Sequence, residues 1–324
     1  MAVIGKDILQ AKNHLNAGEL VAIPTETVYG LAGNALNSIA VASIFETKNR
    51  PSFDPLIIHV SSIDAAKKYV LDFPEILQKL AINLWPGPLT LLLPRKPIVP
   101  DLVTSGLERV ALRVPDHPLT RELLERLDYP LAAPSANPFG YISPTTPHHV
   151  DAQLGNKIPY ILDGGACRVG IESTIVGIEN DEVVIYRLGG AEIQEIENIV
   201  GKVLIKSHST SNPQAPGLLE SHYAPRKPFL LCTLNEIIPE WLAKNKNFAV
   251  LSLSSHFPEL SESQQIRLSP SGNLREAAAN LFAAMRKLDE GEAEIILSEL
   301  MPDVGLGKSI NDRLKRAAAK ESIK

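Results

Sequence analysis

Two cations one residue apart, Lys48 and Arg50, stand just ahead of an apolar run in the stretch KNRPSFDPLIIHV. Cations at that spacing can neutralise an anion such as a phosphate, provided a rigid support holds them out of bulk water. Pro51 and Pro55 supply stiffness, because each pushes its predecessor, Arg50 or Asp54, toward extended backbone. The following LIIHV reads as a short buried strand. Upstream, Ile39, Ala42, Ile44 and Phe45 form a rough helical stripe. Taken alone, the stretch has a plainer reading, in which Lys48 complements a helix C-terminus and Arg50 is a surface residue.

Other stretches place small polar groups where strands end. PTETVYGLAGNA (24–35) offers hydroxyls and glycines, APSANPFGYISPTT (133–146) carries Ser135, Asn137 and Ser143, and DGGACRVGIESTIV (163–176) ends in Glu172 and Ser173. Arg109, Arg113 and Arg187 add cations on strand-like segments. Each has an ordinary explanation: Thr25 and Thr27 as helix caps, Ser135 and Asn137 as turn formers, His59 as a hydrogen-bonded core residue. Arg113 is harder to dismiss. Flanked by Leu112 and Val114, its guanidinium needs an anionic or carbonyl partner, since burying it unpaired is very costly. Together these groups describe a cleft for a polyanion and a small polar molecule.

The elements that must hold them are legible as short apolar runs bounded by glycine and proline: 20–24, 56–60, 89–94, 110–115, 129–135, 160–165, 173–178 and 183–190. Helical patterns fall at 74–85, 118–127 and 192–200, so a sheet-centred α/β unit is expected over 1–206. The N-terminal MAVIGKDILQAKNHLNAG reads as an amphipathic helix ending at Gly18. Residues 207–227 lose periodicity and read as a linker. Its Leu218, Leu219, His222 and Tyr223 suit a segment that packs onto something, and 215–225 is expected to act as a lid. Over 228–324, alternating strands and helices point to a small, mostly parallel sheet flanked by helices. GLGKS (305–309) lacks the first glycine of a phosphate loop, Pro302 standing there instead.

Composition narrows the class. The chain has 324 residues, enough for two domains, and is 44% hydrophobic. Its 32 basic against 37 acidic side chains argue against nonspecific coating of nucleic acid. Cys167 and Cys232 stand far apart, without disulfide or zinc spacing. No apolar run is long enough to span a membrane, and no signal-peptide core is evident, so a cytoplasmic protein without membrane association is expected.

In order along the chain, PTETVYGL, KNRP with DPLIIHV, WPGPLTLLL, ALRVPDHP, PSANPFGYISPT, GGACRVGIESTI, RLGG and APGLLESHYAP are similar to the motifs of the YrdC-like threonylcarbamoyl-AMP synthases in their longer, two-domain form. INDRLKRAA resembles the close of that family's second domain. The resemblance implies a twisted mixed sheet with a concave cationic cleft, plus a smaller Rossmann-like α/β domain. It implies condensation of L-threonine, bicarbonate or carbon dioxide, and ATP with Mg²⁺, to threonylcarbamoyl-adenylate and pyrophosphate, with no organic cofactor. Implied partners are the proteins that transfer the threonylcarbamoyl group to adenosine 37 of tRNAs reading ANN codons, and tRNA or double-stranded RNA itself.

Matched residue by residue, the resemblance assigns Lys48 and Arg50 to the catalytic Lys-x-Arg positions. It assigns Arg50, Asp54, Arg109, Ser135, Asn137, Ser143, Arg187 and Tyr223 to ATP, and Thr27, His59, Arg113, Ala133 and Ser173 to threonine. Asp54 departs from the pattern, many members having asparagine there. Two other classes stay open from the residues: an RNA-binding module using a concave basic face, and a related carbamoyl transferase acting on another acceptor.

Overall fold

The computed structural model describes residues 1–206 and 223–319. The chain divides into two compact units, one of Met1–Phe139 and Ser143–Leu219, the other of Gly140–Ile142 and Glu220–Lys324.

The first unit is built on an eleven-stranded mixed sheet. Its strands are β1 (Val3–Gly5), β2 (Val21–Ile23), β3 (Gly30–Asn34), β4 (Ile57–His59), β5 (Leu89–Pro94) and β6 (Arg109–Arg113). They continue with β7 (Leu131–Ala132), β8 (Tyr160–Leu162), β9 (Thr174–Glu179), β10 (Glu182–Arg187) and β11 (Leu204–Ile205). The spatial order is β1-β8-β2-β3-β7-β4-β6-β5-β9-β10-β11. The helix-like expectations at 74–85, 118–127 and 192–200 appear as helices Glu75–Leu84, Pro118–Glu125 and Ile193–Val200.

Two elements differ from the sequence reading. The N-terminus begins as strand β1, pairing with β8, and its helix starts only at Ile8, where Asp7 accepts from the amides of Leu9 and Gln10. Backbone pairing with β8 outweighs helical periodicity there. GLAGN, with two glycines, is not among the apolar runs read as strands, yet it forms β3 between β2 and β7. A Cβ on Gly33 would press on Leu20 and Ile44, so the strand needs glycine to sit this close to the core.

Alternation along the central strands sorts their side chains onto two faces. Ile58, Leu91, Leu93, Val110, Leu112, Val176 and Ile185 enter the main core with the helices. Ile57, Leu92, Ala111, Ile175, Val184 and Tyr186 form a separate buried cluster on the other face.

The second unit carries β12 (Phe229–Leu231), β13 (Phe248–Ser252), β14 (Gln265–Arg267) and β15 (Ile295–Ser298) in the order β12-β15-β13-β14, all paired in parallel. Helices Leu234–Ala243, Leu274–Glu290 and Leu306–Ala318 accompany them. The last begins within GLGKS, so that stretch is a helix start. Among the described residues no helix is long and apolar enough to cross a membrane.

Candidate active site

β4 and β6 run in parallel with His59 directly beside Arg113. Both side chains are buried. The Arg113 guanidinium donates from Nη2 to Glu26 Oε1 at 2.7 Å and from Nε to the Gly87 carbonyl at 3.2 Å. Its Nη1 has no partner among the described residues. Glu26 is 1% exposed, and its other oxygen accepts the Asp116 amide at 2.9 Å. The demand that Arg113 places on its surroundings is thus met by a resident carboxylate, which the sequence reading passed over. The signal for Glu26 was present: an acid between two threonines directly after a buried strand, in a chain whose Arg113 needed an anion.

His59 finds no hydrogen-bond partner for Nδ1 among the described residues. Burial, reinforced by the Arg113 charge, pulls its pKa down to about 3, so the ring is neutral. Thr27 is fully buried and its hydroxyl lies 2.8 Å from that of Thr25, which donates to the Val28 carbonyl. On β5, next to β6, Thr90 Oγ1 lies 2.7 Å from Ser173 Oγ. Arg187, at the end of β10, donates to the Ser173 hydroxyl and carbonyl, both at 3.0 Å. Ala133 is held by its amide to the Ile57 carbonyl of β4.

A second group gathers where helix Ser38–Lys48 meets the loop after β7. Asn49 adopts a left-handed conformation, φ 52°, and ends the helix. Lys48, its last residue, is 1% exposed and donates to the Ser135 carbonyl at 2.5 Å and to the Asn137 carbonyl. Burial, with the Arg50 charge, holds its pKa well below the ordinary lysine range, Asp54 opposing. Arg50 reaches Asp54 Oδ2 at 2.9 Å and the Asp54 and Pro55 carbonyls, with the Phe139 ring 5.9 Å away. The plain reading of Arg50 as a surface residue does not survive its burial, whereas Lys48 does stand in the last turn of its helix. The chain Pro24–Leu31 links both groups: Leu31 donates to the Pro134 carbonyl, Ala136 to Tyr29, and Tyr29 to Pro144.

Three assigned residues stand elsewhere. Ser143 is buried and donates to Glu172 Oε1 at 2.5 Å. Arg109 occupies the opposite end of β6 from Arg113, about 13 Å away along the strand, with its Nη1 on the Tyr186 hydroxyl at 3.0 Å and the Ile178 carbonyl. Tyr223 belongs to the second unit, where its ring packs on Phe282 and beneath Arg313. The lid expected over 215–225 lies, but for Tyr223–Pro225, outside the described residues.

Two family profiles match this chain. One, described as "Telomere recombination", covers residues 13–189, and the other, described as "Threonylcarbamoyl-AMP synthase, C-terminal domain", covers residues 191–319. The threonylcarbamoyl-AMP synthase of Pyrococcus abyssi is 37% identical, over 97% of this chain and 94% of the relative. That of Bacillus subtilis is 38% identical, over 98% of this chain and 94% of the relative. A crystal structure of P. abyssi Sua5 complexed with L-threonine is similar over 98% of both chains, with a TM-score of 0.91 at 36% identity. Escherichia coli YciO shares the fold of the first unit, with a TM-score of 0.53 at 20% identity over 60% of this chain.

Proposed function

The chain belongs to the YrdC-like threonylcarbamoyl-AMP synthase family in its two-domain form, and from that premise we propose that it condenses L-threonine, bicarbonate or carbon dioxide, and ATP to threonylcarbamoyl-adenylate and pyrophosphate. The observation that carries the reading in this chain's own residues is the Arg113 fork. Two of its donors are fixed by Glu26 and Gly87, and Nη1 is left to take a carboxylate beside a neutral His59 whose Nδ1 has no hydrogen-bond partner among the described residues.

The amino-acid half of the site then follows from chemistry. Arg113 binds the threonine carboxylate, which fixes the α-carbon. His59, neutral throughout the working pH range, is suited to a hydrogen bond with the threonine hydroxyl without adding charge. Thr27, Ala133 and Ser173 shape the remainder. A site that buries a polar atom for one substrate hydroxyl rejects analogues lacking that hydroxyl strongly, whereas a missing methyl costs only about 1–3 kcal/mol.

The carbamate formed on the threonine nitrogen attacks the α-phosphorus of ATP and expels pyrophosphate. Two anions meet in that step, so cations must offset them: Arg50 and Arg187 are the candidates, with Ser135, Asn137 and Ser143 ordering the nucleotide. Asp54 keeps Arg50 in place. Magnesium enters with ATP as part of the substrate, its ligands drawn from phosphate oxygens. Alignment of carbamate and phosphate supplies much of the rate. Arg109 and Tyr223 rest on the family resemblance alone. The adenylate is the activated form that downstream transferases need for adenosine 37 of tRNAs reading ANN codons, and we place this reaction in the cytoplasm.

Pyrophosphate release from ATP, measured with each of the twenty amino acids in the presence and absence of bicarbonate, tests the reading. Release should require threonine and bicarbonate together. Equal release with serine, or with no amino acid, contradicts it.

A further inference from the structure

Glu26 is more than a counter-ion for Arg113. The α-ammonium and α-carboxylate of an amino acid share one carbon, so the groups that receive them must lie side by side. Glu26 Oε1 and Arg113 Nη2 are 2.7 Å apart, both side chains are buried, and Nη1 remains open among the described residues. An acid and a base in that order mirror the two charges of an amino-acid zwitterion. The pair also compensates itself while no substrate is bound, which a lone buried charge could not do.

Resting on the threonine reading above, we propose that Glu26 receives the substrate's ammonium group and takes its proton, freeing the amine to form the carbamate. One N–H bond of the ammonium breaks and its proton passes to the Glu26 carboxylate. The nitrogen lone pair forms a bond to the carbon of CO2, and one C=O π pair moves onto oxygen. The second surplus proton on nitrogen leaves to water, giving the carbamate. Glu26 returns its proton to solvent when product departs. The positioning half of the role is built into the fold. The Asp116 amide holds Glu26 Oε2, and the Val169 amide holds its carbonyl, fixing the acid against the glycine-rich loop.

The charged and titratable groups around the pair are few. Arg113 and His59 come from β6 and β4, Asp116 and His117 follow β6, and Cys167 and Arg168 come from the glycine-rich loop. Arg168 is paired with Asp116. His59 stays neutral above about 3, burial lowers His117, and burial raises the Cys167 thiol to about 12. Between neutral and mildly alkaline pH these three keep their charge state, so a pH effect created by changing Glu26 reports on Glu26 and the amine.

The test is the pH dependence of kcat/KM for threonine in Glu26→Gln relative to the unaltered protein, read as pyrophosphate release. Without its base, the variant must wait for amine already deprotonated in solution. The ratio of variant to unaltered protein should rise about tenfold per pH unit toward the pKa of the free amine. Glu26→Asp should recover part of the activity with the original profile, and the KM for ATP should stay within about twofold of normal in both. A ratio independent of pH overturns the proposal. If Glu26→Gln does not fold, the unaltered protein decides: 2,3-dihydroxybutanoate, which carries hydroxyl in place of the amine, should bind at least about tenfold more weakly than threonine. Equal binding of the two overturns the proposal. Absence of threonine-dependent pyrophosphate release in the unaltered protein would instead reject the underlying reading.

Discussion

The Lys48 ammonium lies 2.5 Å from the carbonyl oxygen of Ser135 and also bonds the Asn137 carbonyl, while the Lys48 carbonyl accepts the Phe139 amide. A lysine so engaged holds the Ser135–Asn137 loop, with two of its donors committed to carbonyls of that loop. Lys48→Met keeps the stem and removes the donors, leaving two carbonyls unpaired at about 1–3 kcal/mol each. Activity should fall mainly through a raised KM for ATP, with threonine affinity by calorimetry near normal. A parallel collapse of threonine binding would show that the loop is not what Lys48 holds.

This residue also marks how far the sequence could be read. The helical stripe, the stiffening prolines and the apolar run after them placed Lys48 and Arg50 between a helix and a strand, as they stand between helix Ser38–Lys48 and β4, because local backbone preferences act within a few residues. The destination of the Nζ atom, 87 positions along the chain, is a tertiary fact that no local pattern encodes. The same holds for Glu26, whose partner is 87 positions away on β6. β3 was hidden because its glycines serve close packing, a need set by neighbours and absent from strand propensity. Most of the long apolar runs were legible because burial on both faces leaves a continuous signal.

His59 gives a pH signature in stability. Its folded pKa of about 3 lies below the ordinary value of 6.5. Between those values the unfolded chain binds more protons at this site, so stability rises with pH there by up to about 1.4 kcal/mol per unit. Above 6.5 the contribution is constant. The urea midpoints of the unaltered protein and His59→Gln, taken from pH 4 to pH 7, should show a shallower rise in the variant. Identical slopes would mean that His59 is protonated in the fold.

Arg113→Lys keeps a positive charge near Glu26 but loses the planar fork. Threonine affinity should fall at least about tenfold by calorimetry, and ATP affinity should change little. Arg113→Ala goes further, leaving Glu26 buried without a counter-charge at a cost of about 3–5 kcal/mol. Unchanged threonine affinity in Arg113→Lys would remove this arginine from the carboxylate site.

Gly189, in RLGG, abuts the chain at Glu172, Ser173 and Thr174 so closely that an added Cβ would collide with backbone atoms of all three. Backbone cannot yield as a flexible side chain does. Gly189→Ala should therefore displace Ser173 from Thr90 and Arg187, lowering the unfolding midpoint and reducing kcat/KM for both substrates. A fully active and equally stable variant would show that this close approach is not needed.

Carbon-labelled bicarbonate offers the most direct test of the central claim. Incubated with ATP and L-threonine, the protein should place the label in a product that also contains AMP and threonine, with one pyrophosphate released per label incorporated. Pyrophosphate without incorporation, ADP in place of an AMP adduct, or incorporation without threonine would contradict the assignment.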